Sequence, residues 1–244
     1  MSRIYSDINQ LNELERILSG YLKLPFSSDS VPGSLMEHVL GNIRQAKVLN
    51  TYDFVDVVDQ KNKIGWQVKA TKATTPITWK RAKIKDSENL ITQSNMGKNK
   101  EATQRLGNAI INFCNHHIQE SFEKYSLDEI GYSRLIVDEN KLTYFEKWLC
   151  SKDNPILFVP EQFNWSWSEP KNSKKKELLP ALHGYHIKTE KKWFAWHGLG
   201  ENQLHFNGEK LWWNEDLPEH GKVFGFPEER FSQERFFEIL KQLG

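Results

Sequence analysis

One segment in the first third of the chain constrains the fold more than any other, because its pattern is typical of a β-hairpin. Residues 52–58 (Tyr-Asp-Phe-Val-Asp-Val-Val) and 64–70 (Ile-Gly-Trp-Gln-Val-Lys-Ala) are rich in β-branched and aromatic side chains. The five residues between them are polar and include Asp and Asn, which favour turns. The segment therefore predicts two antiparallel strands joined by a short turn.

Helical and strand-like periodicities alternate through the rest of the chain. The predicted helices are residues 4–21, 34–49 (with Ser34 as N-cap), 103–124, 142–149 and 231–243. The further predicted strands are 132–137, 156–159, 185–187, 193–197, 204–206 and 211–213, with a turn at Asn207-Gly208 between the last two. Residues 171–176 are predicted to form a polar, basic loop. This order of elements predicts an α+β fold with an α/β core.

The chain of 244 residues is long enough to bury a core without disulfides or a structural metal. Its two cysteines form no disulfide framework, which favours a reducing compartment. No run of apolar residues is long enough to span a membrane, and the N-terminus does not have the pattern of a signal peptide. We therefore expect a cytoplasmic, intracellular protein that has no membrane partner.

Four polar side chains around the hairpin form a candidate catalytic site. Asp56 lies on the first strand, and Gln67 and Lys69 are two residues apart on the second, so they share one face. The helix upstream contributes Glu37. Asp56 and the amide oxygen of Gln67 are suitable Mg²⁺ ligands, and Glu37 would hold a water molecule on the metal. Lys69 would orient the attacking water, so this set predicts phosphodiester hydrolysis.

These residues resemble the PD-(D/E)XK nuclease superfamily, and type II restriction endonucleases in particular. Asp56 is followed by ten residues and then by Gln67-Val-Lys69, and Glu37 matches the acid that the superfamily carries on a preceding helix. The resemblance implies a mixed central sheet flanked by helices. Val55 stands in place of the superfamily's Pro. Gln67 replaces an acid, which removes a negative charge and weakens metal binding unless Glu37 or Asp53 compensates.

Asp53 is an alternative first acid. If residues 52–58 form a regular strand, Asp53 and Asp56 point to opposite faces, and only one can join Gln67 and Lys69. Asp56 is favoured because it lies nearer the turn. Asp53 would pair better with Lys69 if the turn were centred on Lys61.

Positive charge is concentrated beside this site, although the formal net charge of the whole chain is only +1. Residues 61–100 contain ten Lys and Arg against two acids, a local excess of 10 − 2 = +8. Such a field suits a polyanion. The segment after Lys69 is either a solvated polar loop or a stretch that contacts DNA phosphates, and phosphate contact is favoured because the segment begins at the proposed catalytic strand. Its candidate contacts are Lys72, Thr74, Thr75, Thr78, Lys80, Arg81 and Lys83.

The last third of the chain is aromatic and contains six of the nine Trp. We expect most of these Trp to form the core of a small sheet. Lys188, Asn202 and Gln203 are candidates for reading base edges. Zinc binding by the histidines of this region lacks cysteine partners and standard spacing. The order His197, Asn202, His205 is too closely spaced for an HNH nuclease motif.

Together these features predict a catalytic core in residues 1–160 and a β-rich region for DNA recognition in residues 161–244, packed as one globule. The expected function is that of a type II restriction endonuclease that cleaves double-stranded DNA with Mg²⁺. A homodimer is expected, because a palindromic site is matched by two-fold symmetry. The alternatives are a structure-specific repair nuclease and a DNA-binding module of the same fold that does not cleave.

Overall fold

The computed structural model describes residues 3–27, 29–169, 171–172, 177–213 and 220–243. The helices are α1 (Ile8–Leu22), α2 (Gly33–Arg44), α3 (Ser87–Ser94), α4 (Lys100–Tyr125), α5 (Lys210–Trp213) and α6 (Gln233–Leu243). The strands are β1 (Lys47–Val48), β2 (Val57–Asp59), β3 (Ile64–Lys72), β4 (Ile77–Arg81), β5 (Glu129–Val137), β6 (Lys141–Ser151), β7 (Phe163–Trp167), β8 (Lys171–Asn172), β9 (Glu177–Leu178), β10 (Leu182–His186), β11 (Lys192–His197), β12 (Gln203–Phe206) and β13 (Gly221–Gly225). The protein is therefore of the α+β class.

The chain divides into two compact units, each assembled from separate segments. The first unit comprises Met1–Thr75, Phe122–Lys152 and Asn214–Gly244, and the second comprises Pro76–Ser121 and Asp153–Trp213. This division differs from the boundary at residue 160 that the sequence suggests. The reason is strand pairing, because β4 joins the same sheet as the aromatic strands of the C-terminal third.

The first unit is built on a six-stranded sheet in the order β1-β2-β3-β5-β6-β13. Strands β3 and β5 are parallel, and the other neighbours are antiparallel. A parallel pair requires a long crossover, and here the connection carries α3 and α4. Helices α1 and α2 cover one face of the sheet, where Trp66 and Val68 belong to the same hydrophobic core. Gln67 and Lys69 alternate with these residues and therefore point to the opposite face.

The predicted hairpin is present, but its first strand is short. Strand β2 begins at Val57, so the residues before it, including Asp53 and Asp56, lie outside the strand. Asp59 organises the turn, because its carboxylate accepts bonds from the backbone and side-chain nitrogens of Asn62 at 3.0 and 2.6 Å. The prediction of a turn between residues 59 and 63 is therefore confirmed, and the prediction of a strand from residue 52 is wrong.

Local capping sets the start of the first two helices. Helix α1 begins at Ile8 because Asp7 and Gln10 form a capping box, with 2.9 Å bonds in both directions. Helix α2 begins at Gly33 with Pro32 as N-cap, so the expected N-cap role of Ser34 is wrong. The predicted helices around residues 103–124 and 231–243 are confirmed as α4 and α6.

Three predicted elements have a different conformation. The predicted helix 142–149 is strand β6, because a tight turn returns the chain antiparallel to β5. Residues 156–159 form no strand, and the backbone oxygen of Phe158 there accepts a 2.8 Å bond from the Asn115 side chain. The predicted hairpin at Asn207-Gly208 is replaced by helix α5. Of the predicted loop 171–176, residues 173–176 lie outside the described part of the chain.

The second unit contains an antiparallel five-stranded sheet in the order β4-β12-β11-β10-β7. One face carries an aromatic core in which Trp79, Phe206 and Trp213 are in edge or tilted contact. Helix α5 follows Gly208, and its Trp213 is 1% exposed and donates from Nε1 to the backbone oxygen of Asn207. Trp196 is fully buried and donates from Nε1 to the backbone oxygen of Ala82 at 3.1 Å. The expectation that most of the C-terminal Trp form a core is confirmed.

Candidate active site

Asp56 is held firmly at the entrance to β2. Its backbone N–H donates to the oxygen of Trp66, and its backbone oxygen accepts from Leu49, both at 2.8 Å. The carboxylate points toward β3, where Oδ2 accepts the N–H of Val68 at 2.7 Å and lies 3.4 Å from Nζ of Lys69. The neighbouring strand thus fixes both the backbone and the side chain of this acid.

The ion pair between Asp56 and Lys69 is partly shielded from water. The side chain of Asp56 is 18% exposed and that of Lys69 is 25% exposed. Partial burial strengthens the attraction between the two charges compared with a fully exposed pair. Enough of each side chain remains accessible for a substrate to reach it.

Gln67 lies two residues before Lys69, on the same face of β3. It is only 2% exposed and lies in register with Tyr132 on the parallel strand β5. Strands β2 and β3 pair Val57 with Trp66, and one residue further along this register Gln67 lies opposite Asp56. The structure therefore brings Asp56, Gln67 and Lys69 together on one side of the hairpin.

Glu37 approaches the same group from α2. Burial raises the pKa of its carboxyl, and the negative charge of Asp56 raises it further, whereas Lys69 and His38 act in the opposite direction. Glu37 is therefore close enough to Asp56 for the two carboxylates to repel each other. A cation between two such groups would relieve this repulsion.

The donor groups at this site are of the kinds that suit Mg²⁺. Two carboxylates and an amide oxygen are the hard oxygen ligands that this ion prefers, with water completing its shell. Of the two carboxylate oxygens of Asp56, only Oδ2 forms hydrogen bonds with the described residues, so Oδ1 can bind a cation. The part of the chain that the structure describes contains no group of three or more His, Cys, Asp or Glu side chains able to hold a metal. Because position 67 is an amide and not an acid, Glu37 and Asp56 are the two acids of this set.

Asp53 belongs to a different cluster. Its Oδ2 accepts a 2.8 Å bond from Nζ of Lys124 and a short bond from the hydroxyl of Tyr125. Burial opposes ionisation, but the hydrogen bonds from Lys124, Tyr125 and Thr51 lower the pKa of Asp53 to about 2. The argument from strand alternation does not apply, because the chain before Val57 is not a strand. Asp56, rather than Asp53, is the acid that pairs with Lys69.

The predicted phosphate contacts fall in both units. Lys72, Thr74 and Thr75 are exposed at the end of β3 and in the turn after it, within the first unit. In the second unit, Thr78, Lys80 and Arg81 belong to strand β4, so the alternative of a polar loop does not hold for this stretch; Lys83 follows β4 and is exposed. The sheet explains the difference, since β4 pairs with β12 and alternates buried with accessible residues.

The three predicted base-reading residues do not lie together. Asn202 is in the turn between β11 and β12, and Gln203 begins β12 in register with Arg81. Lys188 lies in the turn between β10 and β11. Because successive strands run in opposite directions, these two turns are at opposite ends of the sheet. Asn202 and Gln203 can serve one surface, and Lys188 belongs to another.

Two further cations share the sheet face of Gln67 and Lys69. Arg134 lies directly beside Lys69 on β5, and Lys147 lies beside Tyr132 on β6. Arg134 is 6% exposed, and burial lowers the pKa of Lys147. A charge inside a largely apolar strand is costly unless it is paired, and this signal is as strong at Arg134, within the predicted strand 132–137, as it is at Lys69. Lys147 falls in the stretch that the sequence pattern predicts as helix 142–149, so its position on the sheet follows only from the pairing of β6 with β5.

No protein-family model matches this chain, and comparison with curated proteins finds no similar protein. Across the described residues, no helix has the length and apolar character needed to cross a membrane.

Proposed function

We propose that this protein is a Mg²⁺-dependent endonuclease that cleaves double-stranded DNA at a specific short site. The observation that carries the proposal is the pairing of Asp56 with Lys69 and the N–H of Val68. Beside this pair lie a buried amide, Gln67, and a second carboxylate, Glu37. An acid, an amide oxygen and a cation at one sheet position are the groups that phosphodiester hydrolysis requires.

The order of elements supports a restriction-endonuclease-like core in the first unit. Helix α2 precedes the hairpin of β2 and β3, and β3 pairs in parallel with β5 after a helical crossover. The charges of Asp56 and Lys69 both act on the carboxyl of Glu37 on α2, which supports a common site for these three groups. The resemblance to the PD-(D/E)XK superfamily predicts such a grouping.

Asp56, Gln67 and Glu37 would hold the metal through their side-chain oxygens. When bound, Mg²⁺ supplies positive charge that stabilises the developing charge on the phosphate and activates water. The backbone N–H of Val68 keeps the Asp56 carboxylate oriented and leaves its second oxygen available to hold the metal. Glu37 provides the additional negative charge that Gln67 lacks.

Lys69 would act on the water and the phosphate. Its ammonium lies 3.4 Å from Asp56, so it can donate hydrogen bonds both to that carboxylate and to a reacting oxygen. In the reaction, the water oxygen forms a bond to phosphorus while the bond from phosphorus to the leaving sugar oxygen breaks. Lys69 would orient the water and stabilise the charge that builds up on the phosphate oxygens.

Charge supports DNA as the substrate. The excess of +8 within residues 61–100 includes exposed cations in each unit, among them Lys72 in the first and Arg81 and Lys83 in the second. Cations of this kind displace counterions from the phosphate backbone and account for salt-dependent binding. Both cysteines are buried and free, in keeping with a reducing intracellular compartment.

The test is digestion of an unmethylated phage genome, followed by sequencing of the ends. We expect discrete ends in the presence of Mg²⁺ and none in excess chelator. The Asp56→Asn protein should bind the same DNA without cutting it. Ragged ends would point to a nonspecific or structure-specific nuclease instead of a restriction enzyme.

A DNA-binding module that does not cleave is the second candidate. The observation in its favour is that Gln67 leaves only two carboxylates at the site. Such a protein would bind duplex DNA tightly and leave it intact with Mg²⁺ or Mn²⁺. Failure of the wild-type protein to cut any unmethylated DNA, together with retained binding, would replace the nuclease proposal by this one.

A further inference from the structure

A cavity of about 490 Å³ opens on the second unit, away from its aromatic core. Its floor is a rung of three neighbouring strands, in which Ala195 of β11 lies between His183 of β10 and His205 of β12. All three side chains line the cavity. The outer strands of the rung are about 10 Å apart, twice the roughly 4.8 Å spacing of paired strands. The small side chain of Ala195 therefore leaves a slot between two imidazoles.

A third histidine extends the slot. His197 lies two residues beyond Ala195 on the same face, and its ring is 4.7 Å from that of His205, measured between centroids. Nε2 of His205 is 3.2 Å from Oε1 of Gln203. If that nitrogen carries the proton, Nδ1 is left as an acceptor.

The described lining of the cavity carries little net charge. Burial lowers the pKa of His197, and Lys192 lowers it further; burial likewise lowers the pKa of His205, with His197 as the second cause. Both shifts favour the neutral form of the imidazole. Among the described residues, Lys192 is the one cation and Glu169 the one carboxylate that line the cavity, and their charges offset each other. This lining offers a strong anion such as phosphate little net attraction.

The walls suit a flat ring instead. Leu179, Pro180 and Leu199 supply apolar surface, while the amide of Asn207 can donate and accept hydrogen bonds. Imidazoles stack on planar heterocycles, and ring pairs are attractive at centroid separations of about 4.5–7 Å. A nucleobase has apolar faces and a polar edge, which is the combination that these walls and edges complement.

We propose that this cavity binds a single nucleobase that has left its stack, held between His183 and His205 above Ala195. All of these residues lie in the second unit, so the inference does not depend on the cleavage chemistry of the hairpin. In a DNA enzyme, such a pocket reads one base by its edge after the base has been extruded from the duplex. It adds a recognition element that Asn202 and Gln203 do not supply.

The test uses the full chain with isotope-labelled histidine side chains, followed by NMR during titration with the four deoxynucleosides. Deoxyribose 5-phosphate serves as a probe with a phosphate and no base. We expect saturable shifts of His183 and His205 with at least one deoxynucleoside. The exposed His38 and His116 should not shift, and deoxyribose 5-phosphate should leave all of them unchanged.

Two variants and a matched control sharpen the test. Ala195→Leu fills the slot and should weaken nucleoside binding by about tenfold or more, equivalent to 1.4 kcal/mol. Ser166→Leu is the matched control, because Ser166 shares the sheet face with His183 but does not line the cavity. His183→Ala removes one wall without adding bulk and should also weaken binding, which covers the case in which Ala195→Leu fails to fold.

Three results would overturn the proposal. The first is the absence of a saturable shift with any deoxynucleoside. The second is a shift with deoxyribose 5-phosphate and none with the nucleosides, which would make the cavity a phosphate site. The third is undiminished nucleoside binding by folded Ala195→Leu and His183→Ala proteins. DNA cleavage is measured separately, so loss of either proposal is distinguishable from loss of the other.

Discussion

Asp56 illustrates how single residues acquire their role from the next strand. Without its contacts to β3, the carboxylate of Asp56 would be an ordinary surface acid. Instead, the N–H of Val68 and the ammonium of Lys69 hold one of its oxygens and leave the other available. The chemistry of the proposed site therefore depends on the register of β2 and β3.

At this scale, removal of the Lys69 ammonium is the most direct test of mechanism. We expect Lys69→Ala to lower the rate of DNA cleavage by about 100-fold or more, because charge on the phosphate loses its nearest donor. Single-turnover cleavage of plasmid DNA measures the effect. Lys63→Ala is the matched control, since Lys63 lies in the same hairpin but is exposed and pairs with Asp128. Equal rates for Lys69→Ala and wild type would disprove the proposed role.

The amide of Gln67 makes a second prediction, which does not need an activity assay. Gln67→Glu places a third acid in a buried position and should lower Tm in the absence of metal, because like charges are brought together. Mg²⁺ should then raise Tm more for the variant than for the wild type, since ligand binding to the folded state stabilises it. Thermal unfolding with and without Mg²⁺ measures both effects. An equal response of the two proteins to Mg²⁺ would argue against a metal at this position.

At the scale of elements, Asp53 ties the segment before β2 to the C-terminal end of α4 through Lys124 and Tyr125. The pKa of Asp53 is about 2 in the folded protein, below the value of about 3.9 in an unfolded chain. A lowered pKa means that this contact stabilises the fold above pH 4, and the contribution is lost as the pH falls toward 2.

The corresponding prediction tests which of the two acids, Asp53 or Asp56, takes part in cleavage, a choice that the sequence leaves open. Asp53→Asn should lower the free energy of unfolding at pH 7 by about 1 kcal/mol, a modest value because the partner Lys124 is largely exposed. The deficit should shrink below pH 4, and DNA cleavage should be retained. Chemical denaturation at several pH values measures the stability, with Asp56→Asn for comparison. Loss of cleavage in Asp53→Asn, with stability unchanged, would reverse the assignment of the two acids.

Helix α6 is the element whose apolar face has least cover among the described residues. Phe237 and Leu240 are 49% and 45% exposed. Among the aromatic rings of the described residues, Phe237 contacts the similarly exposed Phe26 and its own neighbour Phe236. Acidic Glu234 lies near the start of the helix and basic Lys241 near its end. Two copies of α6 packed antiparallel would bring these opposite charges together. A second copy of the chain is therefore the occupant that we propose for this face.

At the scale of the whole molecule, this surface predicts the oligomeric state. We expect the wild-type protein to be a dimer and the double variant Phe237→Ser, Leu240→Ser to be a monomer, because the apolar area that drives association is removed. Light scattering after size-exclusion chromatography measures the mass. The control Glu238→Ser changes the opposite face of the helix and should remain dimeric. A monomeric wild type at micromolar concentration would contradict the proposed dimer.

Much of the first unit could be predicted from local patterns. The turn at residues 59–63 depends on Asp59 and Asn62, which are three residues apart in the chain. In the same way, helix α4, most of which lies in the second unit, shows its apolar periodicity over seven turns. Strand β6 could not be predicted in the same way. Its apolar residues suit a helix as well as a strand, and only its pairing with β5 decides between them.

The amino-acid sequence by itself determined the polar residues of the hairpin, the position of its turn and the concentration of positive charge beside it. These properties depend on residues that are close along the chain. Only the tertiary structure decided that Asp56 pairs with Lys69 while Asp53 pairs with Lys124, and that His183, Ala195 and His205 form one rung. Those contacts join residues far apart in sequence, and strand register, which local propensity does not encode, sets which of them meet.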